Sequence, residues 1–328
     1  MSSGFQGDES VRVRGEISPV HRSRSRGLFS KMNWTIVGEA PKDFLRIYEY
    51  GSSNRTRPDR WPGYIAKVGQ KWYPNESITE HLLTRLGQRL GLKIADSRLM
   101  WVRGQLRFLS RYFLRPDESL IHGAEIFAGY LADAEFVQEV EARNQSREVF
   151  TYQVVEEALR SRFPDQAEEI LQGFVRLLAF DAVVGNNDRH YYNWGVVTQV
   201  TGKRPAKLAP IYDTARALFW NTTERKLASV EHGNRVNVFE KKYLDDCQPK
   251  TGWDGRPSIN HFPLMGILAI ERPEMLPVLR ALPVEHLPQD AQALLEGEFA
   301  GLLSCRRARF VLSCLQKRVQ GFKEAIGI

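Results

Sequence analysis

The chain has 328 residues, 42% of them hydrophobic and 11% aromatic, which is enough apolar material for a sizeable core and about two domains or lobes. No run of about 18 apolar residues occurs, which excludes a membrane-spanning helix, and the opening MSSGFQGDES lacks the apolar segment of a secretory signal. The net charge of +7 suits an anionic ligand or partner, and three scattered cysteines, Cys247, Cys305 and Cys314, are too few for a disulfide framework or a zinc site; they read as reduced thiols of a cytoplasmic protein.

Residues 1–33 are polar, rich in Ser, Gly and Arg, and without periodicity, so they read as a flexible basic tail. The arginines clustered there (Arg12, Arg14, Arg22, Arg24, Arg26) and near the C-terminus (Arg306, Arg307, Arg309) read as solvated charge. From Trp34 the texture changes. FLRIYEY (44–50) alternates like a strand, and WPGYIAKVG (61–69) is a second strand with Ile65 and Lys67 on one face. ESITEHLLTRLGQRLGL (76–92) places Ile78, Leu82, Leu83, Leu86 and Leu90 on one helical stripe ended by Gly91. SRLMWV and QLRFLSRYF flank Arg103-Gly104 as a hairpin. Residues 34–114 therefore read as a small α+β lobe.

Residues 115–328 read as a larger, mostly helical lobe. AEIFAGYLADAEFVQEVEARN, TYQVVEEALRSRF and DQAEEILQGFVRLLAFDAVV are helix candidates, the last apolar enough at its end to be buried. WGVVTQV and KLAPIYD follow as a strand pair. The final helix sets Phe310, Val311, Cys314, Leu315, Val319 and Phe322 on one side, which core packing explains.

The long buried helix runs straight into VVGNNDRHYYNW (183–194), where a solvated turn, a metal site or a catalytic loop could each account for Gly-Asn-Asn-Asp. The order of parts favours the last. Phosphoryl transfer moves a multiply anionic group, so a protein must hold cations in place and do little covalent work. Asp188 and Asn193 have the aspartate-to-asparagine spacing of the kinase catalytic loop, in which the aspartate faces the acceptor hydroxyl and the asparagine a metal. Asp213, in APIYD at the end of a strand candidate, can complete a Mg²⁺ site, though alone it could simply cap a turn. Lys67, in YIAK, matches the lysine strand that clamps ATP phosphates. Glu80, near the edge of the helix stripe with Gly87 and Gly91 on its side, is placed to fix that lysine, with Glu76 one turn away as its rival. Taken singly, each is a weak signal, since strand lysines and helix glutamates mostly face solvent. Their joint occurrence in this order points to a kinase. His190 has no H-x-x-x-H companion and reads as an imidazole bracing the catalytic loop rather than a metal ligand or base. Arg189 is either a phosphate contact or a loop brace.

GNNDRHYYNWGV with KLAPIYDTARAL resembles the bacterial HipA-like serine/threonine kinase family. Gly185, Asp188, His190 and Asn193 match its G-x-x-D-x-H-x-x-N loop, and Pro210, Tyr212 and Asp213 match its P-x-Y-D motif. The resemblance implies a two-lobed protein-kinase-like fold, ATP and Mg²⁺ as cofactors, and a Ser/Thr acceptor on a protein. It also implies that Glu80 is the helix glutamate, and that Ser110 and Tyr112 in FLSRYF are adenine hinge contacts, with Ser110 standing where the family usually has an acidic residue. In place of a G-x-G-x-x-G loop, TIVGEAPK (35–42) matches the family's Ser-x-x-Gly-x-x-Pro-Lys loop through Thr35, Gly38, Pro41 and Lys42. The leading hydroxyl residue is an autophosphorylation site in the family, which extends to Thr35 the prospect of a phosphate that competes with ATP for the pocket. Better-known members carry a further N-terminal domain of about a hundred residues, the size of a small domain, which this sequence does not show. The family also includes toxins paired with a small DNA-binding antitoxin. Two other classes compete: a lipid or small-molecule kinase with the same loop, which the want of a convincing amphipathic membrane helix disfavours, and a non-catalytic module binding a partner or nucleic acid, which the presence of all four of Lys67, Asp188, Asn193 and Asp213 argues against. Direct nucleic-acid binding and membrane association are not expected.

Overall fold

A computed structural model describes residues 21–22, 29–32, 42–51, 53–67, 72–102 and 105–328. Thr35 and Gly38 of the expected phosphate loop, and the Arg103-Gly104 turn, lie outside the described residues. The first lobe carries one six-stranded sheet. Its order is β1 (His21–Arg22), β5 (Ser97–Val102), β6 (Gln105–Arg111), β4 (Gly63–Lys67), β3 (Lys42–Ile47) and β2 (Phe29–Met32). Neighbours are antiparallel except β1, which runs parallel to β5. Residues 29–32, expected within a flexible tail, form β2 and pair with β3 from Phe29–Ile47 to Met32–Phe44. Four residues are too few to show a period of two, which is why this strand reads as tail.

The first helix, α1 (Asn75–Arg89), lies where the stripe predicts, with Ile78, Leu82, Leu83 and Leu86 buried against Leu99, Leu106 and Phe108 of the sheet. Full burial of each such side chain stabilises by about 1.5–3 kcal/mol. The helix stops at Gly91, which takes the left-handed φ of 69°. Its N–H donates to Gln88 O and the N–H of Leu92 to Gly87 O, the paired closure that satisfies the last carbonyls. The opposite face of the sheet has its own small core of Leu45, Ile47, Tyr64, Ala66, Met100, Val102 and Leu109.

Beyond the hairpin the chain runs through β7 (Glu118–His122), α2 (Gly123–Leu131), α3 (Ala134–Ala142), α4 (Ser146–Val149), α5 (Tyr152–Arg162) and α6 (Ala167–Val184). Next come β8 (Gly195–Gln199), β9 (Lys207–Leu208), α7 (Glu224–His232), α8 (Val236–Asp246), α9 (His261–Glu271), α10 (Leu276–Arg280), α11 (Leu287–Glu296) and α12 (Cys305–Ile326). Residues 124–144, which read as one helical segment, are two helices. Ala132 breaks them at φ 55°, and Asp133 caps α3 by accepting from Phe136 N–H. The expected β8–β9 pair exists, yet β9 is two residues long and β7 joins as a third strand. ESLIH carries too little apolar alternation to announce β7.

Helix α6 is the axis of the second lobe, buried almost all round from Leu177 to Val184. The expected stripe of α12 packs inward in full. Arg309 stays exposed as expected and, with the half-buried Arg306, pairs with Glu231, but Arg307 and Arg318 are buried. Arg307 is neutralised by Glu224 at 2.7 Å, a partner 83 residues away that local charge counting does not reveal. The three cysteines are free thiols, Cys247 and Cys314 buried and Cys305 exposed. One apolar core runs from the α1 face of the sheet through α6 to α12, so α1 is packed into both lobes.

Candidate active site

Lys67, the last residue of β4, stands opposite Lys42, the first of β3. Like charges at directly opposed positions repel, and something anionic must lie between them. That anion is Asp213, whose Oδ1 is 2.9 Å from Lys67 Nζ and whose Oδ2 is 3.7 Å from Lys42 Nζ. Glu80, on the second turn of α1, closes on Lys67 from the other side at 2.7 Å. The rivalry with Glu76 is thereby decided for Glu80. Burial pushes the Asp213 carboxyl up, but the two lysines outweigh it and hold Asp213 well below the usual carboxylate range. The same pairing keeps Lys67 charged against its own burial. Burial raises Glu80, and Lys67 draws it back. Asp213 also holds a left-handed φ of 55°, uncommon for a non-glycine residue and typical of functional sites.

The catalytic-loop candidate hangs from the C-terminus of α6. Gly185 ends the helix at φ 76°, with its N–H and that of Asn186 both on Asp181 O. The carboxylate of Asp181, fully buried in the apolar helix, then builds the loop. It accepts from Arg189 Nε at 2.9 Å, from Arg189 Nη2 at 3.1 Å and from Asn186 Nδ2 at 2.8 Å. Arg189 is therefore the loop brace of the two readings left open. Its Nη1 also donates to Asn193 O at 2.7 Å and Tyr212 O at 2.6 Å, lacing the loop to the residue before Asp213. A buried pair this well bonded is costly to break from one side. Asn193 Nδ2 donates to Asp188 O at 2.8 Å and lies 3.1 Å from His190 Nε2. His190 thus sits against the loop's own amide, in the bracing position.

Asp188 Oδ1 lies 3.0 Å from Arg216 Nη1. Burial first, and Asp213 second among the raising causes, lift Asp188 to about 6 despite Arg216. Glu76 faces the same region; burial raises it while Arg216 and Lys67 pull it down. Ser110 lies inside β6, paired with Ile65 on one side and Ser97 on the other. Tyr112 follows the strand end, its N–H donating to Gly63 O at 2.9 Å and its ring edge-on to Phe44.

The structure brings together Lys42, Lys67, Glu80 and Asp213 as one ionic cluster, and Asp188, His190 and Asn193 as one loop tied to it by Arg189. Sequence reasoning missed Asp181 and Arg216. Asp181 had a signal, a carboxylate inside the apolar run LLAFDAVV, where burial demands a partner. Arg216 had none.

The donor set suits a hard, oxygen-seeking cation. With its amide nitrogen turned to Asp188 O and His190, Asn193 turns its side-chain Oδ1 the other way, where it could serve a ligand, and Asp213 is held ionised. Mg²⁺ needs one or two such protein oxygens beside those of phosphates and water. No cluster of three or more His, Cys, Asp or Glu suited to a metal occurs among the described residues.

A strand lysine bound to a helix glutamate, facing an Asp-x-x-x-x-Asn loop from the other lobe, is the layout of a two-lobed kinase fold. The fold is similar to that of the Helicobacter pylori proinflammatory kinase CtkA, with a TM-score of 0.71 and 14% identity over 94% of this chain and 98% of that one. It is also similar to HipA from the Shewanella oneidensis MR-1 toxin–antitoxin complex with HipB and operator DNA. There the TM-score is 0.50 and the identity 16%, over 92% of this chain and 65% of that one. At these identities the likeness is one of fold. No curated protein matches the sequence. The family model of the HipA-like C-terminal domain matches residues 34–255, and the chain belongs to that family.

Proposed function

We propose that the chain is an ATP- and Mg²⁺-dependent kinase of HipA type that phosphorylates a Ser or Thr hydroxyl on a protein in the cytoplasm. The observation that carries this reading is Lys67 Nζ, held within 3 Å of both Glu80 and Asp213 while the Asp188–Asn193 loop lies alongside. Lys67 and Lys42 neutralise nucleotide phosphates, Asn193 and Asp213 hold the metal, and Asp188 accepts the hydrogen bond of the acceptor hydroxyl. Bound Mg²⁺ supplies charge neutralisation across the phosphates. Ser110, within β6, and Tyr112, just past its end, lie along the segment that would border adenine. Thr35 is the proposed autophosphorylation site. The HipA–HipB complex supports a small DNA-binding antitoxin as a partner.

The test is transfer of γ-labelled phosphate from ATP with MgCl₂ to the chain itself and to a protein mixture, with phosphoinositides as a parallel acceptor. Labelled protein, lost in Lys67→Met and Asp188→Asn, is the expected result. Label on lipid alone would move the acceptor to another class. No transfer and no nucleotide-dependent thermal shift would refute the reading. Growth arrest on expression, relieved by a co-expressed small repressor, tests the toxin role separately.

A further inference from the structure

Among the described residues, four of the cations near the site, Arg189, Lys67, Lys42 and Arg216, differ in how they are held; Lys250 also acts on Asp188. Arg189 is enclosed, with a carboxylate and two carbonyls on its guanidinium. Lys67 and Lys42 sit on the Asp213 side, at 13% and 15% side-chain exposure. Arg216 is ion-paired to Asp188 and is the least enclosed of these four, at 40% side-chain exposure. Its guanidinium lies 5.5 Å over the ring of Trp220 and also acts on Glu76.

Its backbone, by contrast, is fixed. Arg216 O accepts from Asn187 N–H of the catalytic loop at 3.3 Å. Two residues on, Leu218 and Phe219 take left-handed φ values of 50° and 61°. Each such residue costs about 1–2 kcal/mol and persists only where its surroundings over-determine it. Here they do. Both side chains are buried, Phe219 N–H donates to Tyr243 OH, and Phe219 O and Thr222 O accept from Arg307. The chain therefore presents a long cationic arm from a rigid base, next to the carboxylate that would face the acceptor.

We propose that Arg216 is a phosphoryl-facing arginine supplied in cis: as seen here it caps Asp188, and on nucleotide loading it turns to the transferring phosphoryl group and uncaps the carboxylate. This rests on the kinase reading above. In the step itself the acceptor oxygen forms a bond to the γ-phosphorus and the bond from that phosphorus to the ADP oxygen breaks. The hydroxyl proton passes toward Asp188, and ADP leaves. Negative charge spreads over the equatorial oxygens as this happens, and a guanidinium beside Asp188 is placed to meet it. Capping also keeps Asp188 paired when no substrate competes.

The test compares wild type, Arg216→Ala and Arg216→Lys. Turnover in Arg216→Ala is expected to fall by about 10²- to 10³-fold, the usual cost of losing one preorganised donor. Added guanidinium restores part of it. Arg216→Lys retains more activity than Arg216→Ala and is not rescued. The second readout is binding without turnover: affinity for ADP with fluoroaluminate, a mimic of the planar phosphoryl group, falls by a similar factor in Arg216→Ala while affinity for ADP alone does not. Transfer within threefold of wild type in Arg216→Ala would overturn the role of Arg216 and leave the kinase reading intact, as would an equal loss of both affinities. Absence of transfer by wild type would overturn the kinase reading, and this inference with it.

Discussion

Asp188→Asn separates the chemistry of the site from its energetics. In the fold the Asp188 carboxyl titrates near 6, raised by burial and then by Asp213, against a reference of 3.8 for the free side chain. The folded pKa is the higher one, so the native state binds the extra proton, and stability is lost as pH rises between the two values. At 1.36 kcal/mol per pH unit, the ionised group costs the native state about 3 kcal/mol at pH 7.5 and about half of that at pH 5. Asparagine keeps the shape and can still accept from Arg216, yet never ionises. The variant is therefore expected to be more stable than wild type in metal-free buffer, by about 3 kcal/mol at pH 7.5, converging on wild type as pH falls toward 4. For a chain of this length that is a melting shift of about 4 °C. Phosphate transfer should fall in the same variant, by about 10²- to 10⁴-fold if Asp188 is the base. Urea unfolding at pH 7.5, 6 and 5 reads the first effect, and label transfer reads the second. A variant less stable than wild type at pH 7.5, or a difference that does not change with pH, would refute the electrostatic account.

Two further changes probe the loop's foundations. Asp181→Asn leaves the Arg189 guanidinium buried without its counter-charge, and urea unfolding should show a loss of about 3–5 kcal/mol; a loss below 1 kcal/mol would show that the pair does not hold the loop. Gly185→Ala forces a side chain into a left-handed φ and brings its Cβ to 3.0 Å from the Arg318 guanidinium. A destabilisation of about 1–3 kcal/mol is expected from strain and overpacking, and a neutral effect would contradict the contact.

The helix stripes were legible because they are long. Ile78 to Leu90 and Phe310 to Phe322 repeat at helical spacing over several turns, and both pack where that spacing puts them. The convergence of the candidate residues was legible for a different reason: Lys67, Glu80, Asp188, Asn193 and Asp213 sit at the separations of a motif, which composition does not blur, and the fold brings them together. What stayed hidden was non-local. Strands β2 and β7 are short and exist because a neighbour pairs with them. The α2–α3 break depends on one left-handed alanine. Arg307 looks solvated until Glu224, far along the chain, is seen beside it. Arg216 follows Asp213 by three residues and belongs to no pattern; only the fold brings it to Asp188.

Helix α1 carries Glu80, and what holds α1 also holds the Lys67 pair. The residue after Glu80 is His81, whose Nδ1 lies 2.8 Å from Ser97 Oγ in β5 and whose Nε2 lies 3.2 Å from Glu298 Oε1, just past α11. Glu298 also accepts from Arg85 Nε at 2.8 Å, one turn further along α1. One carboxylate of the second lobe thus fastens the helix at two points, with the His81 ring tilted against Phe299 at 5.2 Å. The hydrogen bond from His81, then that from Arg85, lower the Glu298 carboxyl below its usual 4.5 even though burial opposes them. Its folded pKa is the depressed one, so this stabilisation is present above pH 4.5 and is lost as pH falls through the lower folded value. Glu298→Gln should therefore cost about 1–2 kcal/mol at pH 7, with a smaller gap near pH 3.5, since the network is partly buried rather than exposed. The telling measurement is amide exchange along residues 76–89. If Glu298 anchors α1, those amides lose protection before the rest of the core does, and phosphate transfer falls several-fold with nucleotide affinity. Unchanged exchange across α1 in a variant that has nonetheless lost activity would mean that the apolar stripe alone holds Glu80 on Lys67.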